Sequence, residues 1–375
     1  MKVRLGDYIK EYSERNRDLE DIPVYSVTNT QGFCTDYFGK EVASKDKSTY
    51  KIVPYGCFAY NPSRINVGSV DWQHVQERVI VSPLYVVFSV SEQILPQYLY
   101  YYLKSDISLT FIKAVATGSV RDNLRFSALS EFPIELRSIN EQRIIVERLD
   151  KIKQVIIKRQ QELSALDDLI KARFVEMFGD MLINPMRWPE IRLDEVSDIV
   201  SGITKGRKPK ADELFEVPYM AVSNVKDGYI DWTTVKTILA TRAEIEQYRL
   251  LPLDVLMTEG GDPDKLGRGA IIHEPPANCI HQNHIFRVRL NQKRLLPVFF
   301  AQYLQQQRAK RYFLGCAKQT TGIASINMKQ LSALPVLLPS LDTQIQFAAF
   351  VTQIDKSKFV LLSAIRRFEK LSLSF

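Results

Sequence analysis

In residues 133–179, PIELRSINEQRIIVERLDKIKQVIIKRQQELSALDDLIKARFVEMFG, a seam residue returns at alternating steps of four and three: Ile145, Leu149, Ile152, Ile156, Arg159, Leu163, Leu166, Ile170, Arg173 and Met177. Only the two arginines interrupt its apolar character. A run of this spacing without Gly or Pro predicts a coiled-coil helix over 140–178, roughly 60 Å long at 1.5 Å per residue. Gly179 supplies the C-terminal stop. A related approach, PVLLPSLDTQ at 335–344, precedes a second seam of Phe347, Val351, Ile354, Lys358, Leu361, Ile365 and Phe368. Shifted by 202 residues the two seams superimpose, with Lys358 at the place of Ile156 and Leu361 at the place of Arg159. Where one rod is polar the other is apolar. This complementarity predicts that the rods pack on each other, antiparallel, with a polar side chain fixing register more than adding stability. Dimerisation of each rod with another chain is the alternative.

The rest of the chain repeats as well. Arg4-Leu5 returns as Arg192-Leu193, 188 residues on, and Pro23…Val27-Thr28-Asn29 as Pro218…Val222-Ser223-Asn224, 195 on. Pro96…Leu103 returns at 297–304, Thr117-Gly118…Asn123 as Thr321-Gly322…Asn327, and Pro133…Gln142 as Pro335…Gln344. A long period whose offset drifts slowly is a duplicated domain whose loops have changed length, not a solenoid. Residues 79–90 (VIVSPLYVVFSV) read as buried strand, and Pro96 opens a helix with Tyr98, Leu99, Tyr102 and Leu103 on one face. In 284–290, Phe286, Val288 and Leu290 alternate with Arg287 and Arg289, the pattern of a half-buried strand. The expected fold is therefore α+β: two similar mixed α/β domains, 1–138 and 190–338, separated by a pair of long antiparallel coiled-coil helices, 139–179 and 339–375, with 180–189 a linker.

Composition narrows the function classes. The 375 residues carry 45% hydrophobic and 25% charged side chains, ordinary for a globular protein, and a net charge of +7, a moderate lean toward a polyanionic partner. Cys34, Cys57, Cys279 and Cys316 lie far apart without a CxxC pair, so neither a disulfide framework nor a zinc site is expected, and a reducing cytoplasm is. His281 and His284 stand three apart and face opposite ways on a strand, which does not make a metal pair. The start, MKVRLGDYIK, lacks the apolar region of a signal peptide, and no run of 18 apolar residues is present to span a membrane. Catalytic signatures are absent too: no GxxxxGK[ST] loop, no GxGxxG, no NPP[YF] or DPP[YF] of the amino-methyltransferases, no nuclease carboxylates followed by Glu-x-Lys, no GxSxG and no HExxH.

What stands out is suited to binding. TKGRKPK at 204–210 packs Lys205, Arg207, Lys208 and Lys210 among Gly and Pro, and the matching place in the first copy holds Arg15 and Arg17. Such loops suit phosphates, or are simply solvated. The paired Thr-Gly loops, ATGSVRDNLR at 116–125 and KQTTGIASINMK at 318–329, combine close backbone approach with Arg121, Asn123, Arg125, Lys318, Thr320, Thr321 and Lys329. YNPSRINVG at 60–68 and EGGDPDKLGR at 259–268 each precede a strand. Asn61, Arg64 and Asn66, and Lys265 and Arg268, have side chains able to bond base edges, or to serve as turn residues. Thr28, Asn29, Ser223 and Asn224 either line a reading face or cap a strand.

Taken together, these features resemble the specificity subunit of type I restriction–modification systems over essentially the whole chain. The approaches to the two rods are similar to that family's Pro-Leu-Pro-Pro-Leu-Ala-Glu-Gln lead into a conserved helix. Glu141-Gln142 is kept in the first, which lacks one proline, at Arg137-Ser138. Pro339 and Gln344 are kept in the second, which has Thr343 in place of Glu. The resemblance implies two target-recognition domains, each reading one half of a split, asymmetric site on double-stranded DNA. It implies conserved helices that set the spacer and dock two methyltransferase subunits, and a separate motor–nuclease subunit that joins for cleavage. It also implies a chain without catalysis or cofactor of its own, S-adenosylmethionine being bound by the partner methyltransferase. A duplicated coiled-coil adapter between proteins, without DNA binding, is the rival reading, and a fragment of a fused methyltransferase–reader a third.

Overall fold

The computed structural model describes residues 1–35, 46–115, 123–207, 213–262, 266–320 and 323–373, without the side chains of 319, 320, 323 and 373. The chain forms two compact units, residues 1–162 with 360–375, and residues 163–359.

In the first unit the strands are β1 (Lys2–Arg4), β2 (Ile9–Tyr12), β3 (Ser26–Thr28), β4 (Gly32–Cys34), β5 (Lys51–Pro54), β6 (Phe58–Tyr60), β7 (Val70–Trp72), β8 (Arg78–Val81) and β9 (Val86–Val90). Helices α1 (Pro96–Lys104), α2 (Asp106–Val115) and α3 (Phe126–Ser130), strand β10 (Pro133–Glu135) and the long helix α4 (Ile139–Phe178) follow. The central sheet has the order β2-β9-β6-β7, and its apolar face packs with α1 around Phe58, Tyr60, Phe88, Leu99 and Leu103. The strand expected over 79–90 is two strands, parted at the Ser82-Pro83 turn. Proline has no N–H for a ladder, so β8 pairs with β5 while β9 turns to pair with β2 and β6.

The second unit repeats the plan. Its elements are β11 (Glu190–Arg192), β12 (Ser197–Ser201), β13 (Phe215–Met220), β14 (Lys236–Ala240), α5 (Arg242–Tyr248), β15 (Val255–Thr258), β16 (Gly260–Gly261) and β17 (Gly269–Ile271). Then come β18 (Ile280–His281), β19 (Ile285–Leu290), α6 (Pro297–Leu304), α7 (Gln307–Cys316), β20 (Lys318–Thr320), β21 (Ile323–Ser325), α8 (Met328–Ser332), β22 (Pro335–Leu337) and the long helix α9 (Leu341–Leu373). The sheet order β12-β19-β15-β17 matches β2-β9-β6-β7 strand for strand. The first and last strands of each copy pair in one register: Arg4 faces Pro133, and Arg192 faces Pro335.

The same side chains fasten each copy to its long helix. Gln142 is fully buried; its Oε1 accepts from Leu95 N at 2.8 Å, and its Nε2 donates to Gln93 O and Arg137 O. Gln344 does likewise, accepting from Leu296 N at 2.9 Å and donating to Arg294 O and Pro339 O. Tyr102 and Tyr303 each donate their hydroxyl to the carbonyl of the equivalent proline, Pro133 or Pro335, at 2.6 Å. Within the second unit α4 and α9 run antiparallel. Phe347 meets Phe174 and Phe178, whereas Lys358, eleven residues further along α9, pairs with Asp167 further back on α4. Every seam residue expected for the two rods is buried or half-buried. Residues 180–189 are more than a connector: Met181 is buried, and Trp188 Nε1 donates to Phe178 O at 2.9 Å.

A second strand also departs from expectation. The polar face of β19 is covered, not half-solvated. Arg287 is 3% exposed, bonded to Asp198 at 2.6 Å and to Gln247 O, while Arg289 makes a two-pronged pair with buried Asp254. Alternation marks two faces but not which of them meets water; here segment 247–254 closes over the second.

Candidate nucleic-acid interface

In the first domain three of the segments singled out in sequence converge. The 61–68 loop joins β6 to β7, so both its ends are set by the central sheet. Leu124 N donates to Pro62 O at 3.1 Å and Tyr60 Oη to Leu124 O at 3.1 Å, which seats Asn123 and Arg125 against that loop. Asn29 comes from the β3–β4 turn. Gly68 has φ +85°, and a Cβ there would lie 2.5 Å from Asn29 Oδ1, so the amide rests on this glycine. Arg64, Arg125, Asn29 and Asn123 are exposed, and neither arginine has an ion-pair partner among the described residues. Asn66 is half-buried. Asn61 Oδ1 accepts from Ser63 N and Oγ, a turn role that uses its carbonyl end. Thr28 is buried, and its Oγ1 accepts from Gln31 N, so it holds the turn rather than faces outward. Arg15 and Arg17 are exposed, with Arg15 Nη1 donating to Thr49 O. Arg121 lies outside the described residues.

Sequence reading missed Lys104, at the end of α1. Its Nζ donates to Asn29 O at 2.9 Å and sits 4.9 Å from the Tyr100 ring centre. Burial pulls its ammonium down to about 8, with Asp71 opposing the shift. A lysine in a helical pattern reads as solvated face; only the folded β3–β4 turn shows what it holds. Gln305 takes the same place in the second copy, donating to Asp227 Oδ1 at 2.6 Å.

In the second domain the two loops become one small sheet. Strand β16, in the loop between β15 and β17, pairs with β21, and β21 with β20. Ile326 N donates to Glu259 O at 2.8 Å, the counterpart of the Leu124–Pro62 bond. Lys318 and Lys329 are exposed, Thr320 ends β20, and Arg268 immediately precedes β17. Asn327 caps α8 by accepting from Gln330 N. Ser223 and Lys205 are exposed.

Two expectations are corrected here. Asn224 is 1% exposed and its amide is fully engaged: it accepts from Ala221 N and donates to Asp231 O and Thr234 Oγ1. It fixes a turn, with its amide buried and already bonded. Arg207 is not a free cation, because Nε and Nη2 grip both oxygens of Glu244 at 2.7 and 2.6 Å, holding that carboxyl below its usual range. In the 204–210 loop Lys205 therefore remains as the exposed cation among the described residues, with Lys208 and Lys210 outside them, as are Lys265 and Thr321. The histidines also part company. His281 is buried between Tyr248 O and Val200 O, while His284 is exposed beside Glu259. Among the described residues no three His, Cys, Asp or Glu side chains gather as a metal site, and no helix is long and apolar enough to cross a membrane.

Each domain thus presents turns of unlike chemistry on one shared framework. Comparison with known proteins fits this geometry. The chain is 28% identical over 46% of its length to a Methanocaldococcus jannaschii protein provisionally described as the type I restriction enzyme MjaX specificity subunit, and 20% identical over 78% to the Escherichia coli type I restriction enzyme EcoKI specificity subunit. The matched stretches span 40% and 65% of those two relatives. Among solved structures, a chain from work on complex assembly and conformational transition of the type I R-M system shares the fold with a TM-score of 0.59 at 18% identity, covering 100% of this chain and 95% of that one. The model of the type I restriction modification DNA specificity domain matches twice, at residues 3–166 and 185–367, and the chain belongs to that family.

Proposed function

We propose that this chain is the sequence-recognition subunit of a type I restriction–modification complex. Its two domains each read one half of a split, asymmetric site on double-stranded DNA. The paired long helices dock two methyltransferase subunits, and a motor–nuclease subunit joins the same assembly for cleavage. The chain itself is not catalytic and carries no cofactor; S-adenosylmethionine belongs to the methyltransferase. The assembly works in the cytoplasm, where its DNA is.

The observation that carries this reading is the duplicated framework bearing unlike loops. Strand order, terminal register, the buried glutamine and the proline-bound tyrosine are common to both copies. The turns above them are not: Asn29, Arg64, Asn123 and Arg125 in one, Lys318, Lys329 and Arg268 in the other. A frame held constant beneath divergent exposed turns suits two sensors with different targets. Each well-read base is worth about 1–3 kcal/mol, so two short half-sites supply the roughly 4–10 kcal/mol that parts specific from nonspecific binding. Methylome sequencing of the host beside a strain lacking this chain tests it. Adenine methylation at one bipartite asymmetric motif is expected to vanish in the deletion strain; an unchanged methylome refutes the reading.

A further inference from the structure

Four arginines among the described residues, Arg173, Arg268, Arg287 and Arg308, bury an Nε that has no hydrogen-bond partner. Three of them offset this through a terminal nitrogen on a carboxylate: Arg173 with Glu176, Arg287 with Asp198, Arg308 with Glu190. Among the described residues Arg268 has no carboxylate partner and no side-chain hydrogen bond. It is half-buried with its Nε sealed, and its terminal fork has no acceptor among the described residues. Beside it, Thr258 Oγ1 is buried without a partner as well, and Thr258 N donates to Arg268 O at 3.3 Å. Polar groups removed from water and left unmatched are costly, so the sealed Nε leaves the terminal fork as this arginine's means of bonding.

The backbone holds this arginine firmly. Gly267 before it has φ +75°, and a Cβ on Gly269 after it would lie 2.6 Å from Leu256 O. Gly269 O accepts from Gly228 N at 3.1 Å, the tip of the 225–230 hairpin. That tip is pinned by Lys226 N to Tyr229 O and by Gln305 to Asp227. That hydrogen bond joins the residue before Tyr229 to the residue after Arg268, and Tyr229 is 60% exposed.

Resting on the proposed DNA-reading role, we propose that Arg268 reads a guanine in the half-site bound by the second domain, with Tyr229 packing against the adjoining nucleotide. A guanidinium whose Nε is sealed and whose fork is free presents two parallel N–H donors, the pattern that meets guanine O6 and N7 in the major groove. The pre-set backbone and sealed Nε reduce the entropy lost when it binds.

Selection from a randomised duplex library, using the full chain with its methyltransferase partner, tests this. The parent should select a bipartite motif with an invariant guanine in one half. Arg268→Lys keeps the charge and loses the two-pronged geometry. Its preference at that guanine should fall roughly 5- to 150-fold, with every other position and the salt slope unchanged. Tyr229→Ala should weaken binding severalfold and leave the motif intact. A melting temperature equal to the parent's separates these effects from misfolding. An intact motif in Arg268→Lys, or in Arg268→Gln a uniform affinity loss with a salt slope lower by about 1, would assign the arginine to a phosphate and overturn the inference. Failure of the parent itself to select any site would instead overturn the DNA-reading role.

Discussion

Gln344 spends all of its amide on backbone: one N–H received, two carbonyls bonded, no water reached. Replacing it by Leu strands one buried and two part-buried backbone groups where α6, residues 339–344 and α9 meet. At about 1–3 kcal/mol for an unmet buried group, with partial relaxation, Gln344→Leu should cost about 2–4 kcal/mol. The denaturant midpoint reads this directly, and a loss under 1 kcal/mol would show that the clamp is ornamental. His281 gives a pH signature. Burial is the main cause of its fall from an ordinary 6.5 to about 4. The unfolded chain therefore binds the extra proton first. Stability is complete above pH 6.5 and drains as pH falls toward 4, by about 3 kcal/mol in all. His281→Asn should flatten this acid limb in urea titrations between pH 7 and 4; an unaltered limb assigns the acid loss elsewhere. Sequence named Gln142 and Gln344 as motif positions but could not give their work, because two of the three partners of each lie 47 to 50 residues away.

At the scale of elements, the rods were the most legible part of the chain. A 4-3 seam is local information, and α4 ends at Phe178 with Gly179 in the left-handed region as its stop. The aromatic knot of Phe174, Phe178, Phe299 and Phe347 was not legible, since Phe174 and Phe178 lie off the strict seam and Phe299 arrives from α6. Within the seam Lys358 is 26% exposed and bonds Asp167, 52% exposed, at 2.6 Å. The equivalent position of the first rod is Ile156. An ion pair in a half-buried seam contributes little net stability after desolvation, and more to register. Lys358→Leu should thus raise the stability of this helix pair by about 1 kcal/mol, read as a higher urea midpoint. A fall of that size would show the ion pair to be a net source of stability.

Across the whole molecule, the duplication that offsets revealed in sequence is reproduced by matched strand order and register, because loops absorb insertions while the sheets and their fastenings do not. Which loop residues remain free was the illegible part: Arg207 and Asn224 look available as letters and are consumed by Glu244 and by their own turn. In the first domain Arg64 and Arg125 keep uncommitted charges on one loop cluster. If each domain reads its own half-site, Arg64→Ala with Arg125→Ala should blur one half of the selected motif and leave the other intact. If both arginines meet phosphates, the log–log salt slope should shrink by about 1.8, at 0.9 for each contact, with the motif unchanged. If both meet bases, the slope shift should be smaller and the motif loss larger. Equal degradation of both halves fits neither case. It would mean that the domains do not act as separate readers, and the argument from unlike loops on a common frame would fail with it.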